Sequence, residues 1–399
     1  MLDFTDEEKL AEGAIRAWCT AHLEPLVDGM ESGEVSIYEP MRAMAATFGI
    51  PELARAQLVR WREKEGRAPG EKRERGPGSG MMAVLMKELS RCCPGFALAF
   101  GASLGLFGGA VLARGTREQK EKWALPVLTM EKIGAWALTE PSAGSDAFGS
   151  MVTTARRMDG GFRLKGSKTF ITNAPFADVF VVYARVITAS DGAGPEDVRA
   201  FLVERGAEGL ATSKPFRKMG MHSSPTGEVF LDDVFVPGEQ LLGGEEAVGG
   251  RTAAKASLSN ERFGMTPMCL GMIERCLDES VKYAKERKTW GRAIASYQLV
   301  QEKIARMYTA RMIAKTLLLR QLEAERAGVP LGAEEASATK LYCARATTEC
   351  ALEAVQILGG AGYMTGSVVE MMARDAKLFQ IGGGTDEIQI LRIAREVIG

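Results

Sequence analysis

Apolar residues recur at helical spacing up to about residue 125, shift to short runs between about Glu131 and Pro237, and return to helical spacing beyond Gly243. In the first part, "TREQKEKWALPVL" opens with Thr116 and Gln119 at the spacing of a capping box. Residues 54–80, crowded with charge, glycine and proline, read as a solvated loop whose arginines could meet an anion. In the middle part, "SMVTTARRM", "GFRLKGSKTFIT", "ADVFVVYARV" and "GEVFLDDVFVP" are β-branched and aromatic runs. Asp159-Gly160-Gly161 between the first two predicts a hairpin turn. The pattern therefore predicts an α+β multidomain chain, with a helical domain over 1–125, a β domain over 126–240 and a helical domain over 241–399. Residues 161–168, "GFRLKGSK", nearly spell a phosphate loop, but Lys and Ser are reversed and the stretch reads as a strand.

Length supports this division, since 399 residues call for two or three cores. Charge narrows the partners: 50 Lys and Arg stand against 51 Asp and Glu, a balance that gives no reason to expect nucleic acid or an anionic membrane. No apolar run reads as a membrane span. The acidic, amphipathic start "MLDFTDEEKLAEGAIRAW" reads as neither a signal nor a transit peptide. The seven cysteines form no CxxC, and His22 and His222 are the two imidazoles. That supply argues against zinc and disulfide frameworks and fits a reducing, cytoplasmic compartment. Cys269 with Cys276, and Cys343 with Cys350, recur at helical spacing as core residues.

Near the end, "FQIGGGTDEIQ" sets three glycines before a threonine and two carboxylates. Gly382, Gly383 and Gly384 permit positive φ and close approach of backbone to a ligand. They match neither GxGxxG nor a phosphate loop, so the run alone reads as a structural loop.

Five blocks in order change the picture: "WALTEPSAGSDAFG", "KTFITNA", "ERKTWGRAIASYQLVQ", "QILGGAGYM" and "RDAKLFQIGGGTDEIQ". Together they span nearly the whole chain and resemble the acyl-CoA dehydrogenase family. The resemblance implies an N-terminal helical domain, a β-barrel or sandwich-like middle domain and a C-terminal four-helix bundle. It also implies FAD, an acyl-CoA substrate, electron-transfer flavoprotein as acceptor, and a homotetramer. In "TEPSAGSD", Thr139 supplies a hydroxyl and the small residues 142–145 expose N–H groups, a turn able to hold a pyrophosphate or a flavin edge. By resemblance, Trp136, Leu138 and Thr139 line the flavin, and Ser145 lies where its pyrophosphate and the substrate meet. Phe170, Ile171 and Thr172 stand where the family presses an aromatic side chain on the isoalloxazine. Arg287, Thr289, Trp290, Gln298, Gln356 and Gly360 match residues that reach a flavin shared across a subunit boundary, with Arg287 suited to its phosphates. Thr385 and Glu387 match positions near the nucleotide end.

Many members carry "YEGT" where this chain has Gly382-Gly383-Gly384-Thr385. Their glutamate removes the α-proton of the acyl thioester while the β-hydride goes to flavin N5, giving a trans-2-enoyl-CoA. Gly383 cannot do this, yet the reaction needs a positioned acceptor. The isovaleryl-CoA and long-chain subgroup places its base on a C-terminal-domain helix, which here reads "ASLSNERFGMTPMCLGMIERCLDES". Glu261, Met265, Met268 and Met272 fall on one apolar face, where a carboxylate is costly unless it meets a ligand or partner. Glu261 is therefore the expected base, and Arg262 beside it belongs to the substrate-side network. Glu370, Asp375, Asp386 and Glu387 are weaker rivals at structural or cofactor positions. His222 stands where relatives often carry arginine and reads as a surface residue. Flavin monooxygenases or oxidases of the same superfamily, which also lack the loop glutamate, are the alternative class. A nucleic-acid-binding reading has no basic tail to support it. Residues 94–109 match the base of the family's acyl pocket and offer only apolar and small side chains, which suits a hydrocarbon and not a dicarboxylate. A helix-borne base leans the choice toward branched or bulkier acyl groups.

Overall fold

A computed structural model describes residues 3–64, 78–187, 198–245, 250–329 and 331–399, with the backbone alone described at 60–64, 78 and 250–262. Helices, sheet and helices follow in the order that the change of period predicts. Thr5 starts the helix Asp6–Trp18 with a capping box, accepting from the Glu8 N–H while the Glu8 carboxylate accepts from Thr5. Thr116 and Gln119 form the box that their spacing predicts.

Two expectations are corrected in this part. The loop read over 54–80 begins too early, because the helix Ile50–Lys64 runs into it. Ala54 and Leu58, one turn apart, are buried, and Arg55 pairs with Glu131 across the surface. Dense charge concealed that narrow apolar stripe. Helix resumes at Gly78–Cys92, and residues 65–77, with Arg67, Arg73 and Arg75, lie outside the described residues. The second correction concerns apolar length. Pro94–Arg114 is a helix of 21 residues, long and apolar enough by length and composition to cross a membrane. Most of it is instead packed inside the protein: Phe96, Phe100 and Phe107 are fully buried, and Ser103 Oγ accepts from the Gly134 N–H at 3.0 Å. Its apolarity is explained as core.

Among the described residues the sheet has seven strands, β1 Gly134–Ala137, β2 Thr154–Met158, β3 Gly161–Thr172, β4 Val179–Ile187, β5 Val198–Glu204, β6 Leu210–Thr212 and β7 Thr226–Pro237. One edge of β4 pairs in parallel with β1 and then β2, and the other edge pairs with antiparallel β5. β2 turns into β3 through Asp159 and Gly160, the latter at φ +78°, where the hairpin was expected. β3 then pairs with β7, and β6 extends that ladder. Val179, Val181 and Tyr183 of β4 pack with Phe107, Trp123 and Val127, whereas Phe180, Val182 and Ala184 face the main core. Burial on both faces explains why this strand reads as an unbroken apolar run.

The C-terminal bundle is built from Gly250–Glu286, Gln298–Ala327 and Ala333–Leu358, completed by the shorter Val368–Phe379 and Asp386–Ile398. Gly271 allows Gly250–Glu286 to cross the Gly78–Cys92 helix closely, since a Cβ there would stand 2.0 Å from the Lys87 carbonyl oxygen. Beside that crossing, buried Lys87 donates to Glu12 at 2.8 Å, Glu88 at 2.6 Å and Glu274 at 3.2 Å. Arg16 holds Glu88 at 2.8 Å and Arg311 holds Glu274 at 3.0 Å. Glu12, Glu88 and Glu274 come close enough to hold a metal ion, but the Lys87 ammonium already sits among them. Cys269, Cys276, Cys343 and Cys350 are buried, as their helical spacing predicts.

Candidate active site

Two short segments of the sheet domain are brought side by side. Residues 136–140 leave β1, and residues 168–172 end β3. The Thr169 N–H donates to the Thr139 carbonyl at 2.9 Å, and Lys168 Nζ donates to the Leu138 carbonyl at 3.1 Å. Trp136 is half-buried, with its Nε1 donating to the Tyr183 hydroxyl at 3.3 Å; Arg114 donates to the same oxygen at 2.7 Å. Leu138 is buried and Thr139 half-buried. A tight turn follows, with Glu140 and Ala143 exchanging N–H to carbonyl bonds of 3.1 Å. Ser142 within it and Gly144 and Ser145 just beyond it are exposed. The N–H groups of Gly144 and Ser145 find no acceptor among the described residues. Asp146 closes the loop on the Gly149 N–H at 3.1 Å and the Ser150 hydroxyl at 2.7 Å.

The 168–172 segment is bent by a bulge. Lys168 pairs with Val229, but Ile171 pairs with Gly227, so β3 carries one extra residue. Phe170 takes up the irregularity at φ +58° and is 69 % exposed, touching Phe216 edge-on at 6.0 Å, while Ile171 is buried. A large aromatic residue held outward in a left-handed backbone conformation costs energy, and such strain concentrates at functional sites. Thr172 is half-buried. Asn173, also left-handed at φ +67°, ties the turn to the N-terminal helices: it donates to the Ala99 carbonyl at 2.8 Å and accepts from the Tyr38 hydroxyl at 3.1 Å.

The glycine loop leaves the helix Val368–Phe379, with Gly383 at φ +62° and Gly384 at φ +91°. Lys340 Nζ donates to the Gly384 carbonyl at 2.7 Å, and Gln389 adds a second bond at 2.9 Å. Thr385 caps the next helix by accepting from the Ile388 N–H at 3.3 Å; Glu387 in its first turn is exposed. A Cβ on Gly382 would lie 3.5 Å from Met265 Cε, so the loop borders the helix Gly250–Glu286 one turn beyond position 261. The backbone at Glu261 and Arg262 is helical, but both side chains lie outside the described residues.

The remaining expected residues gather elsewhere. Arg287, Gln298, Gln356 and Gly360 are exposed and Thr289 is half-buried. Trp290 stands at the tip of the small hairpin Lys288–Thr289 and Arg292–Ala293, at φ +47° and 88 % exposed. Tyr297 supports it from below, its hydroxyl donating to the Thr289 carbonyl at 2.9 Å, with Arg292 over its ring at 4.1 Å. Among the described residues, no hydrogen bond, ion pair or ring contact joins this set to the sheet-domain set.

The rival carboxylates have partners of their own. Glu370 pairs with Arg374 at 2.5 Å, and Asp386 with Arg345 at 2.9 Å. Asp375 is fully buried against the Met221 N–H, and burial pushes its carboxyl up to about 7. His222 is exposed as expected, with Nε2 2.8 Å from the Lys218 carbonyl and Nδ1 3.5 Å from Glu31. Two buried charges meet here in a way that the sequence does not reveal. Glu140 and Lys168 sit inside quoted motifs, each a charge in a small or apolar run, and pair at 2.8 Å. Burial pulls the Lys168 ammonium down to about 8 against the opposing attraction of Glu140. Burial would raise Glu140, but Lys168 and the Thr153 and Val152 donors leave it lowered.

Comparison with known proteins agrees in order and extent. Family models for the N-terminal, middle and C-terminal domains of acyl-CoA dehydrogenase match residues 68–131, 135–234 and 249–398. The chain is 35% identical to isovaleryl-CoA dehydrogenase of Arabidopsis thaliana over 83% of this chain and 79% of that one. It is 33% identical to the 3-(aryl)acrylate reductase of Clostridium sporogenes over 99% of each. It is 38% identical to a caffeyl-CoA reductase-Etf complex subunit of Acetobacterium woodii over 80% and 83%. Butyryl-CoA dehydrogenase from Megasphaera elsdenii superposes with a TM-score of 0.85 at 30% identity, over 100% of both chains. An acyl-CoA dehydrogenase from Bacillus anthracis solved with FAD gives 0.83 at 29%, over 99% of this chain and 67% of that one.

Proposed function

The chain belongs to the acyl-CoA dehydrogenase family of oxidoreductases, and from this premise we propose an FAD-dependent acyl-CoA dehydrogenase whose α-proton acceptor is Glu261. The observation that carries the assignment is the glycine loop. Its Gly383 carries no side-chain base, whereas Met265, one turn beyond Glu261, borders Gly382. A helix turn carrying a carboxylate thus adjoins the loop that lacks one. Removal of an α-proton needs such a group within hydrogen-bond reach.

The residues present suit FAD. Phe170 offers an aromatic face that no core claims, and the free N–H groups of Gly144 and Ser145 suit phosphate oxygens. When bound, FAD supplies the acceptor for the hydride leaving the β-carbon. Trp136, Leu138, Thr139, Ile171 and Thr172 wall this side, and Ser145 serves both cofactor and substrate. Arg287, Trp290, Gln298, Gln356 and Gly360, exposed in one chain, fit completion of the site by a second copy within a homotetramer. Thr385 and Glu387 belong to the nucleotide end, and Arg262 to the substrate side. Likeness to an Etf-complex subunit supports electron-transfer flavoprotein as the electron acceptor.

The acyl group is read from Pro94–Arg114. Leu98, Gly101, Gly105 and Gly109 are among its positions that are not fully buried, and among the described residues nothing lies within 4 Å of a Cβ at Gly105 or Gly109. That space suits a branched or bulky hydrocarbon. Straight, branched and cyclic acyl-CoAs should be tested for anaerobic flavin bleaching and reduction of an artificial acceptor, with the fastest turnover on branched or cyclic chains. A colourless protein that cannot take up FAD would sink the reading. Oxygen uptake matching turnover would favour the oxidase or monooxygenase class.

A further inference from the structure

We propose that the buried Lys168–Glu140 ion pair is a positioning pair that clamps the 136–140 segment to the bulged 168–172 segment and so shapes the flavin seat. This rests on the reading of FAD above. Both side chains are wholly buried, and Lys168 Nζ donates to Glu140 Oε1 at 2.8 Å and to the Leu138 carbonyl at 3.1 Å. Glu140 also accepts from Thr153 N–H at 2.9 Å and from Val152 N–H at 2.7 Å, bringing the residues that lead into β2 into the clamp. Lys168 is the last residue in register with β7 before the bulge, two positions from Phe170. One ammonium thus fixes both the backbone beside Thr139 and the base of the strand that turns Phe170 outward.

Stability alone is a poor reason for such a pair, because apolar replacements of buried ion pairs are often neutral or stabilising. The Lys87 network offers a control: it too is buried and charged, but it joins the N-terminal helices to the bundle and touches neither segment. The geometry therefore separates a clamp at the cofactor seat from a clamp in the scaffold.

The test uses the full-length protein, stripped of FAD and titrated back. Flavin fluorescence gives Kd, and visible circular dichroism reports the environment of the bound flavin. Lys168→Met should raise Kd for FAD at least tenfold and alter the bound-flavin spectrum, with Lys168→Arg recovering part of both. Lys87→Met should lower Tm while leaving Kd and spectrum as in wild type. Should Lys168→Met fail to fold, Glu140→Gln, which keeps size and an acceptor oxygen, should still weaken FAD and shift its spectrum. Folded Lys168→Met or Glu140→Gln with wild-type Kd and spectrum would overturn the proposal, as would an equal loss of FAD in Lys87→Met. Failure of the underlying reading looks different, because wild-type protein would then take up no FAD at all.

Discussion

The two halves of the candidate site are held by different means. In the sheet-domain half, exposed groups are fixed by buried ones: Phe170 stands outward beside Lys168 and Ile171, and the 142–145 turn is anchored by Glu140. In the bundle half, Trp290 stands 88 % exposed on a two-stranded hairpin, and Arg287, Gln298 and Gln356 face solvent. The first half is organised by its own chain. The second exposes a strained apolar ring, the character that the proposed subunit interface calls for. Under the proposed reading a site divided this way would tie cofactor binding to assembly, while the proposed base sits on a helix that belongs to the core of the bundle.

The sharpest test of that division is Glu261→Gln, which keeps shape and removes basicity. A general base contributes about 10²–10⁴-fold, so substrate-driven flavin reduction should fall by that factor while FAD content and oligomeric state stay normal. Stopped-flow reduction at matched flavin loading measures it. Near wild-type rates would remove Glu261 from the chemistry and leave both halves of the seat without a base.

How much of this was legible follows from the distance over which each signal acts. The change of period, the Asp159-Gly160 turn and the Thr116 cap are local, and each is read from a few neighbouring residues. The helix at Ile50–Lys64 was missed because its stripe is narrow against many charges, and only tertiary burial of Ala54 and Leu58 exposes it. Lys168 and Glu140 are separated by 28 positions, and nothing local says that the two meet. Family motifs supplied residues for both halves but not the physical means that hold them. The outward turn of Phe170 depends on a register shift against β7, which no sequence window contains.

A smaller effect should separate the halves by assembly. Trp290→Ala keeps the same backbone demand and removes the ring. As a hot spot of the proposed interface the ring would be worth about 2 kcal/mol or more, so FAD affinity should drop at least tenfold and depend on protein concentration. Sedimentation alongside flavin fluorescence would follow tetramer and cofactor together. An intact tetramer with unchanged FAD affinity would mean that the bundle half does not need this ring.

The smallest expected effect lies between the halves, at Asp375. This residue sits on the helix leading to the glycine loop and accepts from the Met221 N–H of the middle domain, so it links bundle to sheet domain. Its Oδ2 has no hydrogen-bond partner among the described residues, and burial, reinforced by the charge of Glu31, pushes its carboxyl from 3.8 to about 7 against the opposing pull of the Met221 N–H and Arg374. Between about pH 4 and 7 the folded state therefore holds a proton that the unfolded chain has released. Stability from this group falls as pH rises through that window, and the penalty is complete above it. Asp375→Asn keeps an acceptor for Met221 and carries no charge at any pH. It should melt above wild type at pH 8, by about 2 °C or more if the relief is near 1 kcal/mol. The gap should close toward pH 5, where the wild-type carboxyl is already protonated. Scanning calorimetry of both proteins across pH 5–8 decides the matter. Parallel curves would mean that Asp375 stays charged in the folded protein, held by Lys218 and Arg374, and that the joint between the halves does not titrate.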